Sequence, residues 1–285
     1  MAGESVAGLF RLVRPANVLI TLAAQLLFVH CFSSLPETVV WPVAVGLALL
    51  VAGGNAINDY YDREVDARNR PERVILGRLL PPQVGPVVFV LTSAGAVLLG
   101  WRVDGFIGGL FTLIAAALWA YSAWTQRQPL VGNVMVAALL AVPLVVWCHW
   151  PSAVDCTAAL RYAAVVFTVN LLREFVKDQE DAAGDAAAGY RTLPVTASPQ
   201  TVRRIGHLLF GLFYVAVVGL LQWAFAVRGH FLWFMVLVLG VLLPAVYVHF
   251  IWHYSHRPRQ WRAVHQALKA LMVIGMGTLA FGCVG

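Results

Sequence analysis

Charge is scarce in this chain. Of its 285 residues only 12% are Asp, Glu, Lys or Arg, while 60% are hydrophobic, and the mean hydropathy is +0.75. A soluble domain carries roughly 25% charged and about 45–50% apolar residues. The shortage excludes an ordinary soluble globule and places the chain in the membrane class. Cysteine is sparse too: Cys31, Cys148, Cys156 and Cys283 are scattered, with no C-x-x-C spacing. That excludes a zinc or dithiol motif of the usual kind and leaves apolar filler as the reading. No charged segment followed by a short apolar run and a small-residue cleavage site opens the sequence, so no signal peptide is expected.

Long apolar runs are abundant. A spanning helix needs about 20 mostly apolar residues. The pattern predicts nine: roughly 16–33, 39–58, 83–101, 105–124, 131–149, 158–176, 205–226, 230–252 and 264–283. The expected fold is therefore all-α, a polytopic bundle of nine transmembrane helices forming one domain over residues 1–285.

A net charge of +6 would allow nucleic acid as a partner, but its distribution speaks against one. With nine spans, sixteen of the twenty Lys and Arg fall on one side of the membrane. Only Arg102, Arg161 and Arg228 fall on the other, and Lys269 lies within the last span. Basic loops face the cytoplasm, so the N-terminus is expected inside and the C-terminus outside.

The acids are distributed more unevenly still. Ten of the fourteen lie at the cytoplasmic end of the second or the sixth span, or in the loop that follows. The first cluster is "NDYYDREVDARNRPER" (58–73) and the second is "NLLREFVKDQEDAAGDAAAGYRTLPV" (170–195). Asp59, Asp62 and Asp66 are spaced i, i+3, i+7, as are Asp178, Asp181 and Asp185. On a helix this spacing gathers three carboxylates on one face, where they repel one another. Asn58 extends the first face. Asn170, Arg173, Glu174, Lys177 and Asp181 form a polar stripe on the second.

Something cationic must compensate. Local arginines forming surface ion pairs are one possibility, each pair worth about 0–1 kcal/mol. A divalent metal is the other. Oxygen ligands without Cys or His suit Mg²⁺, which shares its coordination with phosphates that Arg and Lys then grip. The matching spacing, four spans apart on one membrane face, favours the metal and suggests a four-helix unit used twice with a ninth helix appended. Ionisable groups at membrane depth point to function in any case. A diphosphate held between two such clusters would leave most readily from an allylic carbon, whose cation is delocalised. An isoprenoid diphosphate has the required anionic head and hydrocarbon tail, and a helical bundle in lipid keeps water from the cation. The residues thus lead to a prenyltransferase.

"NDYYDREVD" and "NRP", with "KDQEDAAGD", "GYRTLP" and "YSAWTQRQPLVGN" (121–133), resemble the UbiA superfamily of intramembrane prenyltransferases over nearly the whole chain. The resemblance implies a helical bundle that opens laterally to lipid. It implies Mg²⁺, two ions with Mn²⁺ as a possible substitute, held by Asn58, Asp62 and Asp66 on one side and Asp181 and Asp185 on the other, with Asp59 and Asp178 adjacent. Asp62, Asp66, Asp181 and Asp185 are the expected catalytic carboxylates. Expected diphosphate contacts are Arg70, Arg73, Tyr121, Arg127, Lys177 and Arg191, and Asn17, Asn170 and Arg173 are the remaining polar residues expected at the cavity. Within the superfamily the second motif most resembles members that pass a geranylgeranyl group from its diphosphate to geranylgeranylglyceryl phosphate. Aromatic quinone precursors and chlorophyllide are the alternative lipophilic acceptors. A transporter is a remote alternative, disfavoured because the span interiors are nearly free of charge.

Two departures stand out. Members often carry Lys where this chain has Gln126, so either Arg127 supplies that charge or one diphosphate contact is missing. The loop "RPERVILG" keeps Arg73 but lacks the proline and serine that members place after it, which bears on specificity rather than chemistry. Each expected contact has a plainer reading: Arg70 and Arg73 neutralising Asp66 and Glu72, Lys177 in an i,i+4 pair with Asp181, Tyr121 in the aromatic belt, Asn17 packed between helices. His249, His253 and His256 share a helical face and read as interfacial anchors.

Overall fold

The computed structural model describes residues 2–69, 71–227 and 229–283, with the side chains of residues 2–4, Asn69, Arg73 and Val227 left aside. The helices are α1 (Ala2–Val13), α2 (Pro15–Phe32), α3 (Glu37–Asn69), α4 (Val84–Val103), α5 (Gly105–Ala123), α6 (Val131–Val145), α7 (Cys156–Ala187), α8 (Leu193–Thr196), α9 (Pro199–Gln222), α10 (Phe231–Leu237), α11 (Leu243–His253) and α12 (Pro258–Gly277). No strand occurs among the described residues; two isolated bridges, Ser33 with Val154 and Leu76 with Leu80, are the nearest approach to one.

Among the described residues, eight stretches are long and apolar enough to cross a bilayer, so the protein is an integral, multi-pass membrane protein. They match eight of the nine expected spans. The exception, 158–176, lies in α7, which has the length but not the apolarity. Arg161, Asn170, Arg173 and Glu174 interrupt its run before the acidic segment begins. Outward-facing Val87, Val90, Leu91, Leu98 and Trp101 on α4 suit hydrocarbon as surroundings rather than water.

The chain divides into two compact units, Met1–Leu26 with Leu35–Gln126, and Leu27–Ser34 with Arg127–Gly285. In the first, α3 packs against α4 and α5, and α1 lies on α3. Glycines permit the close approaches: a Cβ at Gly46 would stand 2.3 Å from the Phe111 ring, and one at Gly53 would stand 2.3 Å from Thr92. Leu12 of α1 is buried with Ala56, Ile75, Leu76 and Leu80, and Asn55 ties α1 to α3 by donating to the Val13 carbonyl at 3.0 Å.

In the second unit α7 is the central element and packs against α6, α9 and α12. Asp155 caps its start by accepting from the Ala158 amide at 3.0 Å. Its end is set by Gly189, whose φ of +75° is left-handed backbone that glycine adopts freely. Ser198 caps α9, which opens on Pro199. Phe32, Tyr162, Trp223 and Trp233 form an aromatic cluster around a buried bond from Trp233 Nε1 to the Tyr162 hydroxyl at 3.2 Å.

One reading of the cysteines is corrected. Cys31 and Cys283 are not filler but a disulfide, with Cα atoms 4.5 Å apart across 252 positions of sequence. Nothing local signals a pairing so distant, which is why spacing did not reveal it. Cys148 and Cys156 are free thiols.

Candidate functional site

The first acidic segment stays helical, because α3 continues unbroken to Asn69. Its carboxylates therefore lie on successive turns, as the spacing predicted. Asn58, Asp59, Asp62 and Asp66 are all half-buried. Asn58 Nδ2 donates to Asp62 Oδ2 at 3.0 Å and to Gln126 Oε1 at 2.9 Å. Gln126 Nε2 donates to Asp62 Oδ1 at 2.7 Å and to the Ser122 carbonyl at 2.7 Å. Asp62 is thus held at both oxygens by uncharged amides. Asp59 is held differently, by the guanidinium of Arg14. Tyr121 lies half-buried at the end of α5, one turn before Gln126. Asn17 is exposed on the first turns of α2. Arg70, and the side chain of Arg73, lie outside the described residues.

The second acidic segment is likewise part of a helix, α7. Asn133, near the start of α6, donates to Asp178 Oδ2 at 2.8 Å. Burial nevertheless pushes Asp178 up to about 7. The Asn133 bond and Lys177 oppose that shift, and Glu174 and Asp185 add to it. Asp185 is 6% exposed and accepts from the Thr192 hydroxyl at 3.1 Å. Gly189 makes this possible. Its turn folds the chain back so that the Tyr190 amide also reaches the Asp185 carbonyl, at 2.9 Å. Lys177 Nζ stands 3.9 Å from Asp181 Oδ2, one turn away. Arg173 pairs with neighbouring Glu174. Asn170 is fully buried; its amide donates to the Val166 carbonyl at 2.8 Å, and Oδ1 finds no hydrogen-bond partner.

Arg127 and Arg191 are exposed at the surface of this unit. The Arg127 guanidinium lies over the Tyr190 ring, 5.1 Å from its centre, and the Arg191 amide donates to the Arg127 carbonyl at 3.1 Å. The expected histidine face is corrected: α11 ends at His253, so His256 lies beyond the helix; His249 bonds His207 and Tyr214, each at 3.0 Å, and Arg203 bonds His256.

Among the described residues, no three His, Cys, Asp or Glu side chains converge as a ready-made metal cage. The donor set still fits a hard divalent cation that keeps its waters, because the groups available are carboxylates and an amide. A buried acid pushed up to about 7, with two further carboxylates raising it, is a place where added positive charge is favoured. Sequence reasoning named Gln126 only as a departure and missed Asn133 and Thr192 as braces. Both lie inside motifs it quoted, but a brace is recognised by its partner, and those partners are 45 and 7 residues away.

A family model described as the UbiA prenyltransferase family matches residues 17–273. The digeranylgeranylglyceryl phosphate synthase of Natronomonas pharaonis is 34% identical over 238 residues, 79% of this chain and 83% of the relative. That of Halobacterium salinarum is 36% identical over 203 residues, 69% of this chain and 71% of the relative. Two solved structures share the fold. One, from work on digeranylgeranylglyceryl phosphate synthase in membranes, aligns with a TM-score of 0.75 at 18% identity over 99% of both chains. The other, a UbiA homologue from Archaeoglobus fulgidus bound to GPP and Mg²⁺, aligns with a TM-score of 0.65 at 14% identity over 96% of this chain and 99% of that one.

Proposed function

The chain belongs to the UbiA prenyltransferase family, and from that premise we propose that it transfers a geranylgeranyl group from geranylgeranyl diphosphate to geranylgeranylglyceryl phosphate, in ether lipid synthesis. The observation that carries the reading is the pair of aspartate sets with matching spacing, in which uncharged donors hydrogen-bond Asp62, Asp178 and Asp185. The acceptor rests on the relatives, whose names are those of synthases for the doubly geranylgeranylated product and whose matches span 79% and 69% of this chain.

In this reading Asn58, Asp62 and Asp66 hold one Mg²⁺ and Asp181 and Asp185 another, with Asp59 and Asp178 adjacent. Bound there, the metal supplies electrostatic stabilisation of the leaving diphosphate. Lys177, Arg127, Arg191, Tyr121, Arg70 and Arg73 bind the diphosphate oxygens. The bond from the allylic carbon to oxygen breaks with both electrons leaving on the diphosphate. The acceptor's free hydroxyl oxygen then bonds to that carbon and loses its proton, so diphosphate and the ether product result. Apolar spans house the two hydrocarbon tails and exclude water from the cation.

The same reading makes α7 a ninth span and residues 1–285 one functional domain, with the N-terminus and both aspartate sets cytoplasmic. The Cys31–Cys283 disulfide supports this orientation. Disulfides persist in oxidising compartments, and these cysteines lie at α2's C-terminal end and beyond α12, on the side the charge bias assigns to the exterior.

Purified protein with Mg²⁺ and labelled geranylgeranyl diphosphate, offered geranylgeranylglyceryl phosphate, a hydroxybenzoate, a dihydroxynaphthoate and chlorophyllide together, tests the proposal. A doubly prenylated glyceryl phosphate is the expected product by mass. A prenylated aromatic or macrocycle would overturn the acceptor, and no Mg²⁺-dependent release of diphosphate would overturn the reaction.

A further inference from the structure

Glu180 lies within the second aspartate motif but not on its face. At about 100° per residue it stands about 200° around α7 from Asp178. Its side chain is 4% exposed and points to α12, where Arg262 Nε donates to Oε1 at 2.8 Å and His265 Nδ1 donates to Oε2 at 3.1 Å. His265 is 7% exposed on its side chain, whereas Arg262 reaches outward at 54%. A buried carboxylate is tolerated only when paired and hydrogen-bonded. Here each oxygen takes a separate donor, both from one helix, 82 and 85 residues downstream.

Two points of attachment on opposite oxygens resist rotation of α7 about its axis in a way that a single apolar contact cannot. The neighbouring residues on α7 are the aspartates. Turning the helix enough to release Glu180 would carry Asp178, Asp181 and Asp185 round with it. We propose that Glu180, Arg262 and His265 form a clamp that sets the rotation of α7, and that they are thereby positioning residues for the metal and diphosphate held by the second aspartate set. This gives α12 a task beyond filling the bilayer: it orients a site to which it contributes no ligand. Outer partners of this kind typically alter metal affinity or activity by about 10- to 100-fold when removed. The inference rests on the proposed Mg²⁺-dependent reaction.

The test compares Glu180→Leu, Glu180→Gln and Arg262→Met with the parent protein in detergent. Three quantities are read: the Mg²⁺ concentration for half-maximal turnover, Mn²⁺ binding by electron paramagnetic resonance without substrate, and the thermal midpoint. Glu180→Leu is expected to raise the required Mg²⁺ and weaken Mn²⁺ binding by about tenfold or more. Glu180→Gln should restore most of both, because its carbonyl accepts from Arg262 and its amide donates to His265 once that ring changes tautomer. Arg262→Met should fall between, and combined with Glu180→Leu should add little. Unchanged metal dependence in Glu180→Leu overturns the clamp. So does a loss of rate in all variants that tracks the thermal midpoint alone. If the parent protein itself neither binds Mn²⁺ nor needs Mg²⁺, the functional reading fails first and the clamp falls with it; a clamp that fails while the parent remains Mg²⁺-dependent leaves that reading standing.

Discussion

The two aspartate sets share a spacing but not a setting. On α3 the acids are half-buried, Asp59 meets a guanidinium, and Asp62 is held at both oxygens by the amides of Asn58 and Gln126. On α7 Asp178 and Asp181 are likewise half-buried, and Asp185 is buried. Asp178 and Asp185 are braced by Asn133 and Thr192, and the ammonium of Lys177 stands one turn from Asp181. In each set one acid meets a cation and another is braced by neutral donors. A neutral donor fixes a carboxylate's direction without cancelling its charge, so the charge remains available to a metal. What differs is the cost of burial. It is larger on the α7 set: burial raises Asp59 on α3 as well, but it drives Asp178 up to about 7, and the α7 set is also the one clamped from behind by Arg262 and His265.

If both sets serve one diphosphate, removing an acid from either should be equally damaging. Asp62→Ala and Asp181→Ala are each expected to lower kcat by at least about 100-fold, the scale for losing a group that stabilises developing negative charge. Both proteins should elute as the parent does. Substantial turnover in one of them, measured as diphosphate release, would show that the sets are not equivalent.

The braces come next in size. Gln126→Ala should weaken Mn²⁺ binding by about 10-fold, and Asn133→Ala and Thr192→Val should each do so by a similar amount. Gln126→Lys sharpens the comparison. A lysine beside Asp62 neutralises the carboxylate that glutamine leaves charged, so it should weaken metal binding more than alanine does. A Lys variant that binds Mn²⁺ as well as the parent would show that the position tolerates a positive charge beside Asp62.

How much of this could be read from sequence depends on the distance over which each feature is encoded. Hydropathy is local, and it located eight of the spans, five of them within two residues at each end. Spacing on a helix is local as well, so the aspartate faces were legible once α3 and α7 were taken as helical through their acidic ends. The Gln126 brace was not. Its partners Asn58 and Asp62 are 68 and 64 residues away, and a glutamine at the end of a span has no property that names them. The Cys31–Cys283 pair, 252 residues apart, is the extreme case. Thr192 is intermediate. It lies 7 residues from Asp185, and a glycine three positions before it announces the turn that returns it. Glu180 was legible as charge but not as a residue facing away from the aspartates, because its role depends on two residues of α12.

The unequal burial of the sets should show in pH dependence. Asp178 in the folded protein holds its proton up to about 7, while an unfolded aspartate releases it near 3.9. Between those values the folded state binds more protons than the unfolded state, so stability without Mg²⁺ falls as pH rises through that window. Asp178→Asn removes this contribution. With chelator present, its thermal midpoint should gain on the parent's from pH 5 to pH 8. Asp59→Asn, in the α3 set, where burial also raises the acid but Arg14 opposes it, serves as the comparison and should show a smaller gain. Equal gains would mean that burial does not distinguish the two sets.

The smallest expected effect concerns Arg127, which follows the neutral Gln126. Its guanidinium lies over Tyr190, in the turn that delivers Thr192 to Asp185. Two roles are therefore separable. An exposed stacked pair of this kind is worth about 0.5–1 kcal/mol, so Tyr190→Leu should cost little more than that in stability. Arg127→Gln removes the same stacking charge and also the cation offered to diphosphate. If Arg127 only steadies the turn, the two variants should alter the KM for geranylgeranyl diphosphate alike. If it contacts the diphosphate, Arg127→Gln should raise that KM several-fold, more steeply at low ionic strength, while Tyr190→Leu leaves it nearly unchanged. The second pattern is the one expected, because Arg127 is exposed and stacking occupies only one face of its guanidinium, leaving its N–H groups directed outward in the plane.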